Sequence, residues 1–283
     1  MKASWNLETG ATIAEGRAVI EALGGGRRYE VFLVWDDGIQ AEAVAKVLRP
    51  DRMEDENAVK ALRREAELLE RLDHPILVRG LDSVLDGSFP HLLVEYVDGE
   101  NLRVALDEHS AIAAGDALSL ALELLEAVNY LAESRVAHLD VKPSNVVLGD
   151  PVCLIDLGAA RTFEELAARK TPIGTAAYMA PEQCVSGSYL VGIGPPADVW
   201  GVGATLYHAL TGHRPFSRPG PRGSDLVVRY PQLVEDPLPI PDYVPAPISQ
   251  LVAAMLAREP GDRPTAQEAL ETLRPLAHGL AGH

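Results

Sequence analysis

The pattern of apolar and polar positions changes character near residue 99 of the chain. Before that point, short runs rich in β-branched and aromatic residues predict strands at Val31–Trp35, Ala43–Leu48 and Leu92–Tyr96. Between the second and third runs, Glu54–Arg71 carries apolar residues at helical spacing, which predicts one amphipathic helix. The first part of the chain is therefore expected to be a small β-rich lobe with a single helix.

After Gly99 the apolar positions follow a helical period for most of the sequence. Helices are predicted over Asp116–Ser134, Ala197–Leu210 and Ile248–Arg258, and a last one opens at the capping box Thr265–Glu268. This half is expected to form a larger, mainly helical lobe.

Two features interrupt the helical half. The short apolar runs Val146–Leu148 and Cys153–Ile155 predict a hairpin, and the proline-rich stretch Pro219–Pro247 predicts an exposed loop. Together these patterns indicate an α+β, two-lobed fold, with one lobe over residues 1–98 and the other over residues 99–283.

Composition limits the classes of function. A chain of 283 residues exceeds the usual size of one core, which agrees with two lobes. A net charge of −16 argues against nucleic-acid or anionic-membrane partners, since both need a basic surface. With two cysteines, no leader segment and no long apolar run, we expect a cytoplasmic protein without disulfides.

The segment that reads Asp140-Val141-Lys142-Pro143-Ser144-Asn145 carries the most specific chemistry. An aspartate can accept the proton of an attacking hydroxyl, a lysine two positions later can steady a moving phosphoryl group, and an asparagine can hold a metal. Taken alone, the segment could equally be a polar turn. The sequence Asp156-Leu157-Gly158, which follows an apolar strand, adds a carboxylate suited to Mg²⁺.

Two features of the β-rich half could bind phosphate. Lys46 lies within an apolar strand, where a cation is costly unless an anion meets it, and Glu65 on the predicted helix is a candidate partner. Both residues could instead be solvated on exposed faces. The glycine cluster Gly24–Gly26 would let backbone amides approach a phosphate, although hairpin turns look the same.

Taken in order, these motifs resemble those of the eukaryotic-type Ser/Thr protein kinases of bacteria. The resemblance extends over roughly residues 12–277 and includes Ala180-Pro181-Glu182 and Asp198-Val199-Trp200. It implies a protein kinase fold and transfer of the γ-phosphate of ATP to Ser or Thr hydroxyls of protein substrates. The helix Glu54–Arg71 would be the regulatory helix of the smaller lobe.

The resemblance implies a role for each matching residue. Asp140 would be the catalytic base and Lys142 the lysine that steadies the phosphoryl group. Lys46, paired with Glu65, would contact the α- and β-phosphates. The metal, Mg²⁺ or alternatively Mn²⁺, would be held by Asn145 and Asp156. The residues implied to bind the nucleotide and its metal are Leu23, Gly24, Gly25, Gly26, Val31, Val44, Lys46, Val94, Glu95, Val97, Asn145 and Asp156.

The resemblance also implies supporting contacts. Glu182 would pair with Arg263, and Asp198 would accept backbone amides of the catalytic loop. Lys142 and Thr175 resemble the Ser/Thr-specific version of the family, in which the threonine braces the catalytic aspartate and lysine.

Four departures from the family pattern stand out. Arg28 and Tyr29 occupy the aromatic and third-glycine positions of the glycine-rich loop, Val44 replaces an alanine, and Leu157 replaces a phenylalanine. Leu139 replaces the arginine that precedes the catalytic aspartate and usually meets an activation-loop phosphate. We therefore expect activity that does not need loop phosphorylation and survives alanine at Thr162 and Thr171.

Two other functions fit parts of the pattern. A pseudokinase that binds nucleotide as a scaffold would explain the altered glycine-rich loop, although all the residues implied to be catalytic are present. A small-molecule phosphotransferase of the antibiotic-kinase type would share the Asp140, Asn145 and Asp156 arrangement but usually lacks the Ala-Pro-Glu segment. The sequence indicates neither the protein substrate nor the oligomeric state.

Overall fold

The computed structural model describes residues 3–169, 171–185 and 192–280, with side chains up to residue 276. The chain forms two compact units, the first ending at Asp98 and the second beginning at Gly99. Within the described residues, none of the helices is long and apolar enough to cross a membrane.

The first unit is a six-stranded antiparallel sheet with one helix. Along the sheet the strand order is β1-β2-β3-β4-β6-β5. The elements are β1 (Thr12–Ala14), β2 (Arg17–Gly25), β3 (Tyr29–Asp36), β4 (Ala41–Leu48), α1 (Glu56–Arg71), β5 (Gly80–Val84) and β6 (His91–Glu95).

The core of the first unit follows from strand alternation. Side chains of alternate residues point to the same face of a sheet, so Phe32 and Val34 on β3 pack with Ala43 and Ala45 on β4. Helix α1 is capped by Asp55, whose carboxylate accepts the backbone N–H groups of Asn57 and Ala58, and it buries one apolar face. The sheet and α1 therefore give β4 a buried environment.

The second unit is mainly helical. Its helices are α2 (Leu102–His109), α3 (Ala114–Glu133), α4 (Phe163–Ala167), α5 (Pro181–Cys184), α6 (Pro195–Thr211), α7 (Leu226–Arg229), α8 (Ala246–Met255) and α9 (Ala266–Leu280). Its short strands are β7 (Val136–Ala137), β8 (Val146–Val147), β9 (Cys153–Leu154) and β10 (Arg161–Thr162), which pair as β7 with β10 and β8 with β9.

Helix α6 is the centre of the second unit. It is buried on all sides, with Trp200 and Tyr207 each at most 1% exposed. Glycine permits its close approach to α8, because a Cβ at Gly203 would lie 2.8 Å from the Cβ of Met255. It ends at Gly212, which has the positive φ of 74° typical of a helix stop.

Most of the predicted elements are confirmed, with shifted ends. The strand predicted over Leu92–Tyr96 lies at His91–Glu95, and α8 stops at Met255 before the predicted end at Arg258. Beyond α8, the carbonyl oxygens of Ala257 and Arg258 accept hydrogen bonds from the guanidinium of Arg263 instead of continuing the helix. The capping box at Thr265 is confirmed, since its hydroxyl and backbone N–H both bond Glu268.

Some elements were missed. Helix α2 is only eight residues long, and its one signal was the N-cap Asn101, whose side chain accepts from the N–H of Arg103. Within the stretch predicted as an irregular loop, Leu226–Arg229 forms a single helical turn, which is too short to produce a periodic pattern.

Candidate active site

The segment that begins at His138 is held rigidly by a buried carboxylate on α6. Asp198 accepts the backbone N–H groups of His138 at 2.7 Å and Leu139 at 2.6 Å, as predicted. Burial raises the pKa of Asp198 to about 7, against the effect of these two donors. Leu139 adopts a left-handed backbone with φ of 66°, a costly conformation for leucine that these contacts maintain.

Asp140 and Lys142 meet directly in this segment. The ammonium of Lys142 lies 2.6 Å from Asp140 Oδ2 and also donates to the Thr175 hydroxyl at 2.6 Å. The other carboxylate oxygen of Asp140, Oδ1, is buried and has no hydrogen-bond partner among the described residues. Such an oxygen gains most from a new donor, because its hydration is already lost.

Asn145 and Asp156 lie close together across the β8–β9 ladder. The Asn145 side chain donates its amide to the Asp140 carbonyl at 2.9 Å, and its backbone carbonyl accepts the Ile155 N–H at 2.8 Å. Asp156 follows Ile155 with φ of 73° and accepts the Gly158 N–H at 3.2 Å. This places a side-chain amide and a carboxylate at neighbouring positions.

The donor set suits Mg²⁺ better than a metal that needs a full protein cage. Within the ranges that the structure describes, no three His, Cys, Asp or Glu residues cluster as metal ligands. A hard cation held by the Asn145 amide oxygen and the Asp156 carboxylate would take its remaining ligands from phosphate oxygens and water.

In the first unit, Lys46 and Glu65 form the predicted ion pair. Lys46 is on β4, and its ammonium contacts Glu65 Oε1 from helix α1. The two side chains are only 11% and 2% exposed, so the pair is largely desolvated. The alternative of two solvated side chains is wrong.

Tyr29 lies beside this pair, a position that the sequence did not indicate. It begins β3 instead of extending the glycine-rich loop, and its ring centroid lies 5.4 Å from the Lys46 ammonium. Its hydroxyl is buried without a hydrogen-bond partner among the described residues. Burial, and then the charge of Glu65, raise the pKa of Tyr29. Tyr29 therefore packs inward as part of β3.

The remaining residues implied to bind nucleotide occupy varied positions in the first unit. Gly25 requires glycine, because its φ is 147° and a Cβ would lie 2.6 Å from the Tyr29 carbonyl. Val44 and Val94 face each other in the β4–β6 register. Glu95 donates its backbone N–H to the Arg79 carbonyl at 3.0 Å, so this N–H is already bonded within the first unit. Of the other side chains implied to bind nucleotide, that of Leu23 is 47% exposed, and those of Val31 and Val97 are partly buried.

Two further contacts support the segment around Asp140. The predicted pair of Glu182 and Arg263 is confirmed, with distances of 2.6 and 2.9 Å between buried side chains. Gln183, which the sequence did not single out, donates to the carbonyl of Leu139 at 2.8 Å and to that of Ile173 at 2.9 Å. No motif indicated this role, since a buried glutamine is recognised only from its partners.

Comparisons with known proteins agree with this arrangement. The family model described as "Protein kinase domain" matches residues 17–273. Among similar curated proteins, the serine/threonine-protein kinase PknB of Mycolicibacterium smegmatis is 32% identical over 257 residues, which cover 86% of this chain and 40% of PknB. The serine/threonine-protein kinase PkaA of Streptomyces coelicolor is 32% identical over 254 residues, 87% of this chain and 45% of PkaA.

A relative from a third genus aligns with a larger share of this chain. The probable serine/threonine-protein kinase PknB of Corynebacterium glutamicum is 30% identical over 293 aligned positions, 96% of this chain and 44% of the relative. The chain thus spans less than half the length of these curated relatives. With nearly the whole of its length matched by the family model, the chain belongs to the protein kinase family.

Proposed function

We propose that this chain transfers the γ-phosphate of ATP to Ser or Thr hydroxyls of protein substrates in bacterial signalling. One observation carries the proposal: the carboxylate of Asp140 has one oxygen fixed by Lys142 and the other without a hydrogen-bond partner among the described residues. An acceptor hydroxyl that donates to the free oxygen would be oriented for attack, and its proton would have a base to receive it.

The neighbouring residues have complementary roles in this proposal. Lys142 would steady the transferred phosphoryl group while it holds Asp140 in place. Mg²⁺ held by Asn145 and Asp156 would neutralise phosphate charge. In the first unit, Lys46 would meet the α- and β-phosphates, with Glu65 fixing its ammonium. The bond from Lys142 to Thr175 supports a Ser/Thr acceptor, as the family resemblance implies.

We further propose that activity does not depend on activation-loop phosphorylation. In regulated kinases an arginine before the catalytic aspartate meets the loop phosphate, and here Leu139 occupies that position. Leu139 is 3% exposed and apolar, so it offers no counter-charge. A phosphate on Thr162 or Thr171 would lack this cation.

A nucleotide-binding scaffold is the alternative function. The observation that favours it is Tyr29, whose ring covers one side of the Lys46 ammonium at 5.4 Å. A side chain in that position competes with phosphate for the lysine. Against it, the residues implied to carry the chemistry are all present and, within each unit, are held by the contacts described above.

The experiment that separates these functions combines transfer and binding. The protein is incubated with labelled ATP, Mg²⁺ and a generic protein substrate, and transfer to Ser or Thr is quantified beside ATP affinity. Asp140→Asn should lower the transfer rate by about 10²- to 10⁴-fold with little change in ATP affinity, since it removes the base. Asp116→Asn, an exposed aspartate in the first turn of α3, is the matched control.

Each outcome has a definite meaning. Transfer that is lost in Asp140→Asn and kept in Asp116→Asn supports the kinase. ATP binding without any transfer by the wild-type protein would establish the scaffold instead. Phosphorylation of a small molecule without protein phosphorylation would favour the antibiotic-kinase type.

A further inference from the structure

The second unit contains a shallow, open pocket whose polar lining is dominated by cationic side chains. Its volume is about 410 Å³, and it is lined by Arg103, His208, His213, Arg214, Phe216, Arg218 and Leu238. Three arginines in one pocket are notable in a chain with a net charge of −16. Local potential follows the nearby charges, so the pocket can attract anions despite the acidic chain.

Two of the arginines converge on Tyr178. The guanidinium of Arg214 lies 6.0 Å from the centroid of the Tyr178 ring. Burial raises the pKa of the Tyr178 hydroxyl, and Arg214 and Arg103 both oppose this shift. Arg103 and Arg214 therefore line one pocket, with Arg214 against the Tyr178 ring.

The carboxylates nearby cancel only part of this charge. Asp107 pairs with Arg103 at 2.6 and 2.9 Å, and Glu235 accepts the backbone N–H of Ser217 at 3.0 Å. Arg214 and Arg218 form no ion pair with any carboxylate of the described residues, and Arg218 is exposed. Within that part of the chain, neither of these two guanidinium groups is thus neutralised by a carboxylate, and that of Arg218 is also exposed to solvent.

His208 acts in the pocket as a fixed hydrogen-bonding group. His208 is buried, and its Nδ1 lies 2.7 Å from the Tyr178 hydroxyl. Burial, and then the charges of Arg103 and Arg214, lower the pKa of His208 to about 4, so it is neutral at pH 7. His208 therefore adds no positive charge to the pocket at neutral pH.

Tyr178 connects this pocket to the residues around Asp140. Its backbone N–H donates to the Thr175 carbonyl at 2.8 Å, and the Thr175 hydroxyl accepts from Lys142 beside Asp140. Three residues of chain span at most about 10 Å, so the backbone at Tyr178, which contacts Arg214 and His208 of the lining, lies within about 10 Å of that at Thr175. This short connection favours, as the occupant of the pocket, a side chain that flanks the acceptor hydroxyl.

We propose that this pocket binds an anionic side chain, carboxylate or phosphoryl, of the protein acceptor close to the phosphorylated Ser or Thr. This inference rests on the proposed kinase function and adds a substrate class to it. Arginine suits the role, because its planar fork donates paired hydrogen bonds to carboxylate and phosphate oxygens.

The first test needs no mutation and no catalysis. Fluorescent peptides of one sequence carry alanine at the acceptor position and, on either side of it, an Asp pair, a neutral Ser pair, a Lys pair or phosphoserine. We expect the best anionic peptide to bind about fivefold to tenfold tighter than the neutral one at low salt. The advantage should shrink at 1 M salt, where charges on an open surface are screened.

The second test assigns the preference to the arginines. With Arg214→Gln and Arg218→Gln together, the affinity ratio of anionic to neutral peptide should fall to about one, whereas the control Arg274→Gln on α9 should keep it. Arg218→Gln alone should reduce the affinity ratio to half or less. This single variant is included because an exposed side chain without an ion pair contributes little to folding, so the variant should fold even if the double variant does not. Comparing the affinities of the aspartate and phosphoserine peptides shows which anion the pocket prefers.

The outcomes separate this inference from the kinase function. Equal binding of anionic and neutral peptides, or a preference that survives the double variant, would overturn the inference whether or not phosphate is transferred. Preferential binding of anionic peptides without any phosphate transfer to the matching Ser peptides would reject the kinase function. The pocket would then be a binding site for acidic peptide segments. Preferential binding and faster transfer to the same anionic peptides would support both.

Discussion

Tyr29 combines a favourable ring contact with a hydroxyl left unsatisfied in the described part of the chain. Its ring is packed against the Lys46 ammonium, which favours an aromatic side chain, and its hydroxyl is buried without a hydrogen-bond partner among the described residues. An unsatisfied buried hydroxyl costs about 1–3 kcal/mol, whereas the ring contact would be kept by phenylalanine. The two properties can therefore be separated by removing one oxygen atom.

We predict that Tyr29→Phe raises the free energy of unfolding of the nucleotide-free protein by about 1 kcal/mol. The measurement is urea denaturation followed by circular dichroism. Tyr178→Phe is the matched control, because its hydroxyl bonds His208 at 2.7 Å and its loss should destabilise the protein. A loss of stability in Tyr29→Phe would mean that the hydroxyl has a favourable interaction and the argument is wrong.

At the level of single residues, the sequence identified side chains whose chemistry restricts their partners. Lys46 in an apolar strand required an anion, and the structure supplies Glu65. The inward direction of Tyr29 and the two hydrogen bonds of Gln183 depend on residues far away in the chain. Such contacts have no local pattern, so sequence reasoning missed them.

Elements were predictable where burial is one-sided and the element is long. Helix α1 has a buried face repeated over four turns, and α3 and α6 contain enough apolar residues to be unmistakable as helices. Short elements are different. Helix α4 spans Phe163–Ala167 and depends on a capping box, in which Thr162 and Glu165 bond reciprocally. One turn of helix leaves no period to detect.

The capping box at Thr162 affects how one can test whether activity needs activation-loop phosphorylation. Alanine at this position would remove a helix cap as well as a phosphorylation site, and the loss of a cap costs about 1 kcal/mol. Asparagine keeps a capping oxygen but cannot be phosphorylated. We predict that Thr162→Asn with Thr171→Ala retains more than half of the wild-type rate of peptide phosphorylation, measured with labelled ATP.

Two variants complete this experiment. Thr162→Ala measures the contribution of the cap to thermal stability, so an effect on folding can be recognised. Thr175 is left unchanged, because its hydroxyl accepts from Lys142 and its substitution would affect the proposed chemistry directly. A tenfold or greater loss of rate in the Asn–Ala variant, with normal stability, would show that loop phosphorylation is needed despite Leu139.

At the scale of the molecule, buried ionisable groups set how stability responds to pH. His208 and Asp198 both lie on α6, and burial shifts their pKa values in opposite directions, to about 4 and about 7. Below its ordinary pKa of 6.5, unfolded His208 binds a proton that the folded protein does not, so its contribution to stability falls as pH decreases. Folded Asp198 binds a proton that the unfolded chain has lost, so its contribution falls as pH increases.

These two effects oppose each other between pH 4 and pH 6.5, and the pH profile of the wild-type protein alone cannot separate them. We predict that the destabilisation caused by His208→Gln is smaller at pH 4.5 than at pH 7 by about 2 kcal/mol. At pH 4.5 the unfolded wild-type protein is stabilised by a proton on His208, and the variant has no group that binds this proton. Urea denaturation at both pH values measures the difference. Tyr178→Phe removes the same hydrogen bond but keeps the imidazole, so its cost should change much less with pH. A constant cost of His208→Gln would mean that the imidazole is protonated in the folded protein, and the pocket around Tyr178 would then carry a further positive charge in acid.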